Sequence, residues 1–140
     1  QSRIERIAGL VGIAAAPDFT EDLISHTLTQ RQHQKMAKSG YIDIPNCYED
    51  KPYRIQKKLL DEGRNNLLLR SKINIDVPVR LIHGIEDEDV PWKTSLNLAD
   101  SLISPDVEIT YVKSGNHRLS EDTDLKRLER IISALLKDLA

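Results

Sequence analysis

The chain has 140 residues, enough for one modest domain with a usable core and too few for two. Its 20 basic and 22 acidic residues leave a formal net charge of -2 with the basic ones scattered, which argues against nucleic acid or an anionic membrane surface as a partner. One cysteine, Cys47, excludes an internal disulfide and fits a reducing compartment, so the expectation is a cytoplasmic protein. No apolar run approaches the ~20 residues of a membrane span, and no secretory signal pattern is present. Gln1 opens the chain and Met36 is its only methionine, so something is expected to have preceded it.

In chain order, residues 7–16 form an unbroken apolar run that suits a strand covered on both faces, with Gly9 and Gly12 weakening a helical reading. Pro17 ends it, and Asp18 with Glu21 three residues on marks a helix start. That helix is expected over about 20–38, with a weak apolar stripe of Leu23, Thr27 and Leu28. Residues 39–52 read as loop around a short extended piece at 41–44. A second helix is expected over 53–62, with Gly63 as its C-terminal cap. The stretch 18–72 interrupts a strand-helix rhythm and reads as a cap or lid inserted within one domain.

The rhythm returns with a strand at 77–83, then a helix over about 92–103 whose inward stripe is read as Leu96, Ala99, Leu102 and Ile103. Val107, Ile109 and Tyr111 alternate with Glu108 and Thr110 in a strand at 107–113 with one wet face. Ser120 is placed to cap a last helix over 121–139, and Leu125, Leu128, Ile131, Ile132, Leu135, Leu136 and Leu139 form its apolar stripe. The fold class is α/β: three mostly parallel strands with flanking helices.

The chemistry gathers in two loops. His83-Gly84 ends one strand and opens into Glu86-Asp87-Glu88-Asp89, while Gly115-Asn116-His117 follows the next strand. A right-handed crossover returns the chain beside its starting strand, so both loops emerge at the same end of the sheet. A carboxylate beside an imidazole fixes its tautomer and stabilises the imidazolium formed when it accepts a proton. Three of the four acids fit a solvated turn. The calcium-loop pattern fails at Pro91, and His83 has no partner at zinc-ligand spacing, so no metal and no cofactor is expected. His83 reads as a hydrogen-bonding residue that shapes the loop. Cys47 reads as an ordinary partly buried thiol, since its flanks lack the glycines of a nucleophile elbow.

The series His83-Gly84-x-x-Asp87-x-x-Val90-Pro91, followed by Gly115-Asn116-His117, resembles the C-terminal half of an α/β-hydrolase fold serine hydrolase. Ala15-Ala16-Pro17-Asp18-Phe19, Gly63-Arg64-Asn65, Asp89-Val90-Pro91-Trp92 and Asn116-His117-Arg118 are similar to the branch that holds bacterial carboxylesterases and a mitochondrial palmitoyl-protein thioesterase. The resemblance implies Asp87 as catalytic acid and His117 as base, a small-molecule ester or thioester substrate, and an acyl-enzyme mechanism. It also implies a cap over 18–72, in which Tyr41, Ile42, Ile44 and Tyr53 would wall an acyl chain. No G-x-S-x-G elbow occurs in the sequence, so the chain alone is expected to be inactive. The strand at 7–16 is then expected to pair with the N-terminal half of the same enzyme or with a second chain. A non-catalytic binding or interaction module on the same sheet is the alternative, and a nucleotide-binding reading fails for want of a glycine-rich turn.

Overall fold

A computed structural model describes residues 7–45 and 51–140; Cys47 lies outside them. Five strands, β1 (Leu10–Ile13), β2 (Tyr41–Ile44), β3 (Tyr53–Gln56), β4 (Val79–Gly84) and β5 (Val107–Val112), are joined by four α-helices. These are α1 (Gln30–Ser39), α2 (Lys57–Arg64), α3 (Lys93–Ser101) and α4 (Asp122–Asp138). The chain divides into two compact units, one of residues up to Ala16 with Leu68–Ala140, the other of Pro17–Leu67.

The first unit is a parallel sheet in the order β1-β4-β5. β4 is its centre, pairing from Leu10↔Val79 to Ile13↔Ile82 on one side and from Val79↔Val107 to Gly84↔Val112 on the other. Every residue of β4 is buried, which is why its sequence carries no polar alternation of the kind seen in half-exposed strands. Its side chains alternate between two cores. Val79 and Leu81 pack with Leu102, Leu98 and Ala99 of the α3 region, whereas Ile82 packs with Val112, Leu119 and the α4 residues Leu128 and Ile131. Helices thus cover both faces, the arrangement a parallel sheet needs.

β1 departs from expectation. Only Leu10–Ile13 of the apolar run is strand, and Val11 and Ile13 are exposed on it, so one face is uncovered among the described residues. α3 is also rotated from the expected phase. Its inward positions are Ser95, Leu98, Ala99 and Leu102, at the i, i+3, i+4, i+7 spacing of one helix face, while Leu96 and Ile103 are 45% and 46% exposed. A buried serine hid that register. On α4 the long apolar stripe is in fact two: Leu128, Ile131 and Leu135 face the core side, and Leu125, Ile132, Leu136 and Leu139 are exposed. Ser120 does not cap α4; Glu121 holds the N-cap position, without a side-chain hydrogen bond.

The second unit has a core of its own, Met36, Ile42 and Leu60, with Ile24, Leu28, Ile44 and Ile55 packed against it. The single helix expected over 20–38 is broken into a π-helical turn (Thr20–Ile24), a 3-10 turn (Ser25–Thr27) and α1. The break falls where Thr29 starts α1 with a reciprocal capping box to Gln32, a stronger local signal than the distant Asp18. Residues 53–56 are not helical but form β3, antiparallel to β2, with the Arg54 guanidinium over the Tyr41 ring and bonded to Asp43. Ile42 is 2% exposed inside this core, which removes it from any substrate wall.

Gly63 does not cap α2; it lies within the helix, whose C-cap is Asn65. A Cβ there would sit 2.2 Å from Thr20 Oγ1 and 2.7 Å from Thr20 Cβ, and Thr20 is buried. Arg64, the next residue, pairs with Glu21 at 2.9 Å and reaches Ser25 Oγ at 3.1 Å, holding the same turns against α2. Gly63→Ala would gain about 1 kcal/mol of helix propensity and lose more to overpacking, for which about 1–3 kcal/mol is usual. A lower urea midpoint for Gly63→Ala is the expected result; an unchanged midpoint would show that Thr20 yields without penalty.

Candidate active site

Two backbone segments meet where β4 and β5 end. Ile85 N–H donates to Val112 C=O at 2.9 Å and Glu86 N–H to Gly115 C=O at 3.0 Å, so pairing continues past the last strand residues. Gly84 and Gly115 make this approach possible. A Cβ on Gly84 would lie 2.1 Å from the Gly115 carbonyl oxygen, and one on Gly115 would lie 3.0 Å from Gly84 Cα. The two glycines in the sequence motifs are therefore steric requirements, and they bring the acidic loop and the histidine loop side by side.

In the acidic loop only Asp87 turns inward. Its side chain is fully buried, whereas Glu86, Glu88 and Asp89 are exposed. Oδ1 accepts the amide N–H groups of Asp89 and Val90 at 2.9 and 2.8 Å. Oδ2 lies 2.9 Å from His117 Nδ1 and 3.2 Å from His83 Nε2. Burial by itself would push this carboxyl up. The hydrogen bonds from the Val90 amide, the His117 ring and the Asp89 amide outweigh it and hold the carboxyl below the ordinary aspartate range.

His117 is 39% exposed, with Nδ1 engaged by Asp87. The carboxylate accepts, so Nδ1 carries the proton and Nε2 is the basic nitrogen of the neutral ring. Its loop is held from below by Leu119, buried against Ile82 and Val112 with φ at 43°, a conformation that costs a non-glycine residue on the order of 1 kcal/mol. Asn116 Oδ1 accepts the Arg118 and Leu119 amides at 3.0 and 3.2 Å and stabilises that turn. Asn116 is an ordinary turn former, but nothing in the sequence marks Leu119. Nearby, Trp92 and Tyr111 pack edge to face at 5.4 Å, and the Tyr111 hydroxyl donates to the Trp92 carbonyl at 3.3 Å. That contact gives Trp92 a packing role behind the acid loop.

Asp87, Asp89 and His117 offer ligand atoms within 4.8 Å of one another, a spacing that a metal ion could span. Asp87 Oδ1 already takes two amide protons and Oδ2 the His117 proton, so the carboxylate has little left for a cation. The arrangement is suited instead to orienting an imidazole for proton transfer.

The same hydrogen bonds make a pH prediction. Asp87 is more acidic folded than unfolded, where about 3.9 applies. Its ionised form therefore stabilises the fold above that value, and the contribution is lost as pH falls through the lower folded value. Urea unfolding from pH 7 to pH 3 should show wild type losing its advantage over Asp87→Asn below about pH 4. A constant difference across that range would contradict the assignment.

No family model matches the chain. The mouse mitochondrial palmitoyl-protein thioesterase ABHD10 is 36% identical over 142 residues, which cover 99% of this chain and 47% of that protein. The structure of alpha/beta hydrolase domain-containing protein 10 from mouse matches with a TM-score of 0.87 at 35% identity, covering 99% of this chain and 55% of that one. A structure from Agrobacterium vitis S4 matches with a TM-score of 0.89 at 36% identity, covering 93% and 50% respectively. The chain thus spans about half the length of the curated relatives it matches. Those of mouse, rat and cattle are mitochondrial, which overturns the expectation of a cytoplasmic protein. A lone cysteine argues only against disulfides and cannot choose between compartments. The sheet, its flanking helices and these similarities identify a partial α/β-hydrolase fold, and the chain resembles the C-terminal half of hydrolases of the ABHD10 branch.

Proposed function

We propose that this chain is the acid-and-base portion of a serine hydrolase that cleaves carboxylic esters or thioesters. The observation that carries the reading is the 2.9 Å contact between Asp87 Oδ2 and His117 Nδ1, made from loops at the carboxyl ends of adjacent parallel strands. In this reading Asp87 and His117 are the catalytic residues, and a serine in an N-terminal half is the nucleophile. His117 Nε2 takes the serine proton as the oxygen attacks the acyl carbonyl. Backbone N–H groups of the N-terminal half stabilise the oxyanion, and the imidazolium returns its proton to the leaving alkoxide or thiolate. Water then repeats the sequence against the acyl-enzyme, its proton going to the same Nε2. Asp87 stays ionised throughout and stabilises each imidazolium.

Two uncovered surfaces support a missing half. Val11 and Ile13 are exposed on edge strand β1, and Leu125, Ile132, Leu136 and Leu139 are exposed along α4. An apolar strand edge recruits another strand, and contiguous exposed apolar side chains mark an interface. In this reading residues 18–72 are the cap, and most of them fall in the Pro17–Leu67 unit, which has a core of its own. The thioester class is favoured by the relatives named for palmitoyl-protein cleavage.

A longer form containing the elbow serine should label with a fluorophosphonate, and the 140-residue chain should not. In that longer form Asp87→Asn should lower kcat by about 10⁴-fold, as loss of the orienting acid does in other triads. Labelling of the short chain would refute the reading, and a longer form that never labels would favour a non-catalytic binding module.

A further inference from the structure

The proposed reaction leaves unexplained a histidine whose side chain is as completely buried as that of Asp87. His83, on β4, is 0% exposed. Its Nδ1 is 2.7 Å from Ser95 Oγ on α3, and its Nε2 is 3.0 Å from the Val90 carbonyl and 3.2 Å from Asp87 Oδ2. A carbonyl oxygen only accepts, and an ionised carboxylate only accepts, so the proton must sit on Nε2. A neutral ring then presents a lone pair at Nδ1, and the Ser95 hydroxyl must be its donor.

The geometry points to His83 as a positioning residue for the acid: the neutral Nε2–H tautomer, set by the acceptors at Nε2 and matched by Ser95 at Nδ1, clamps Asp87 in the orientation that meets His117. The clamp is a closed ring of contacts. Val90 N–H donates to Asp87 Oδ1, Val90 C=O accepts from His83, and the same His83 N–H faces Asp87 Oδ2. Without His83 the carboxylate is held by the Asp89 and Val90 amides and the His117 ring, all of them on loops, and by no group on the central strand. With it, the acid is tied to the central strand and, through Ser95, to a helix packed on that strand. A group whose supports stand on rigid elements keeps the sub-ångström placement that proton transfer requires. Ser95 is 1% exposed, a burial rarely given to serine unless its hydroxyl is used. Both residues act through Asp87 and touch no substrate.

The proposal rests on the hydrolase reading for its purpose, but its test does not measure turnover. In the full chain carrying ¹⁵N-histidine, long-range ¹H–¹⁵N correlation at pH 7 should give His83 a protonated, pyrrole-type Nε2 and a bare, pyridine-type Nδ1. A protonated Nδ1, alone or with Nε2, would overturn the assignment. The His117 Nδ1–H proton, shifted downfield by Asp87, should vanish in His83→Leu and survive in His83→Gln, whose amide can still donate toward Val90 and Asp87. Should His83→Leu not fold, Ser95→Ala supplies a second reading: His83 keeps its proton on Nε2, while the ring, freed at Nδ1, holds Asp87 less firmly and the His117 signal broadens. The correct tautomer with an unaltered His117 signal in the folded variants would reduce His83 to core packing and end the proposal. Failure of fluorophosphonate labelling in the longer form would instead sink the hydrolase reading and leave these signals as they are.

Discussion

A carboxylate with no exposed side-chain surface is the constraint on which the rest of the first unit depends. Desolvating an ion costs several kcal/mol even after relaxation, while a hydrogen bond to a charged group returns about 1.5–3 kcal/mol. One partner is therefore too few. Asp87 has two amides on Oδ1 and the His117 ring on Oδ2, and these three bonds outweigh the burial and lower its pKa, with His83 Nε2 a further contact at 3.2 Å from Oδ2. These groups come from three places: two from its own loop, one from the loop after β5, and His83 from within β4. The fold must hold all of them in register at once.

That register is delivered by backbone contact. A right-handed crossover puts β5 beside β4, but adjacency alone leaves two loops several ångströms apart. Gly84 and Gly115 close the remaining distance, because any side chain at the first would occupy the carbonyl of the second. The loop bond from Glu86 to Gly115 then fixes the height at which His117 meets Asp87. Leu119 anchors the far end of the histidine loop in the core that also holds Ile82, and its left-handed backbone is the strain this placement entails. The local conformation is unfavourable and the tertiary packing imposes it, a pattern common where geometry serves chemistry.

These features were unequally legible. β4, β5 and their loops could be read directly, since Val79, Leu81 and Ile82 mark the central strand despite Arg80 and its end is punctuated by glycine. The choice of Asp87 among four acids followed from motif resemblance, not from charge or spacing, which are nearly the same for its neighbours. Ser95 was invisible because hydrophobic periodicity counts apolar residues, and a buried serine makes the helix look rotated toward Leu96. The break at Thr29 and the strand at Tyr53 were obscured for the same reason: short elements of a small unit are decided by caps and cross-strand partners, which leave little periodicity to read. The exposure of Val11 and Leu136 could not be read at all. An apolar residue reports that something covers it, not which chain segment does so.

That last ambiguity turns into information once the fold is known. The two stripes of α4 are interleaved on one sequence, and only Leu128, Ile131 and Leu135 are accounted for by the core side. Leu136 is 62% exposed and Leu125 52%, on a chain whose net charge of -2 gives little repulsion to keep copies apart. Fully burying a leucine side chain contributes roughly 1.5–3 kcal/mol, so four such residues on α4 together with Val11 and Ile13 on β1 represent a substantial drive toward association. The two surfaces differ in kind. β1 offers a row of backbone donors and acceptors that an extended strand can pair, whereas α4 offers packing alone. A partner that covered α4 without pairing β1 would leave that edge a template for other strands, so the better fit is a segment that contributes a strand.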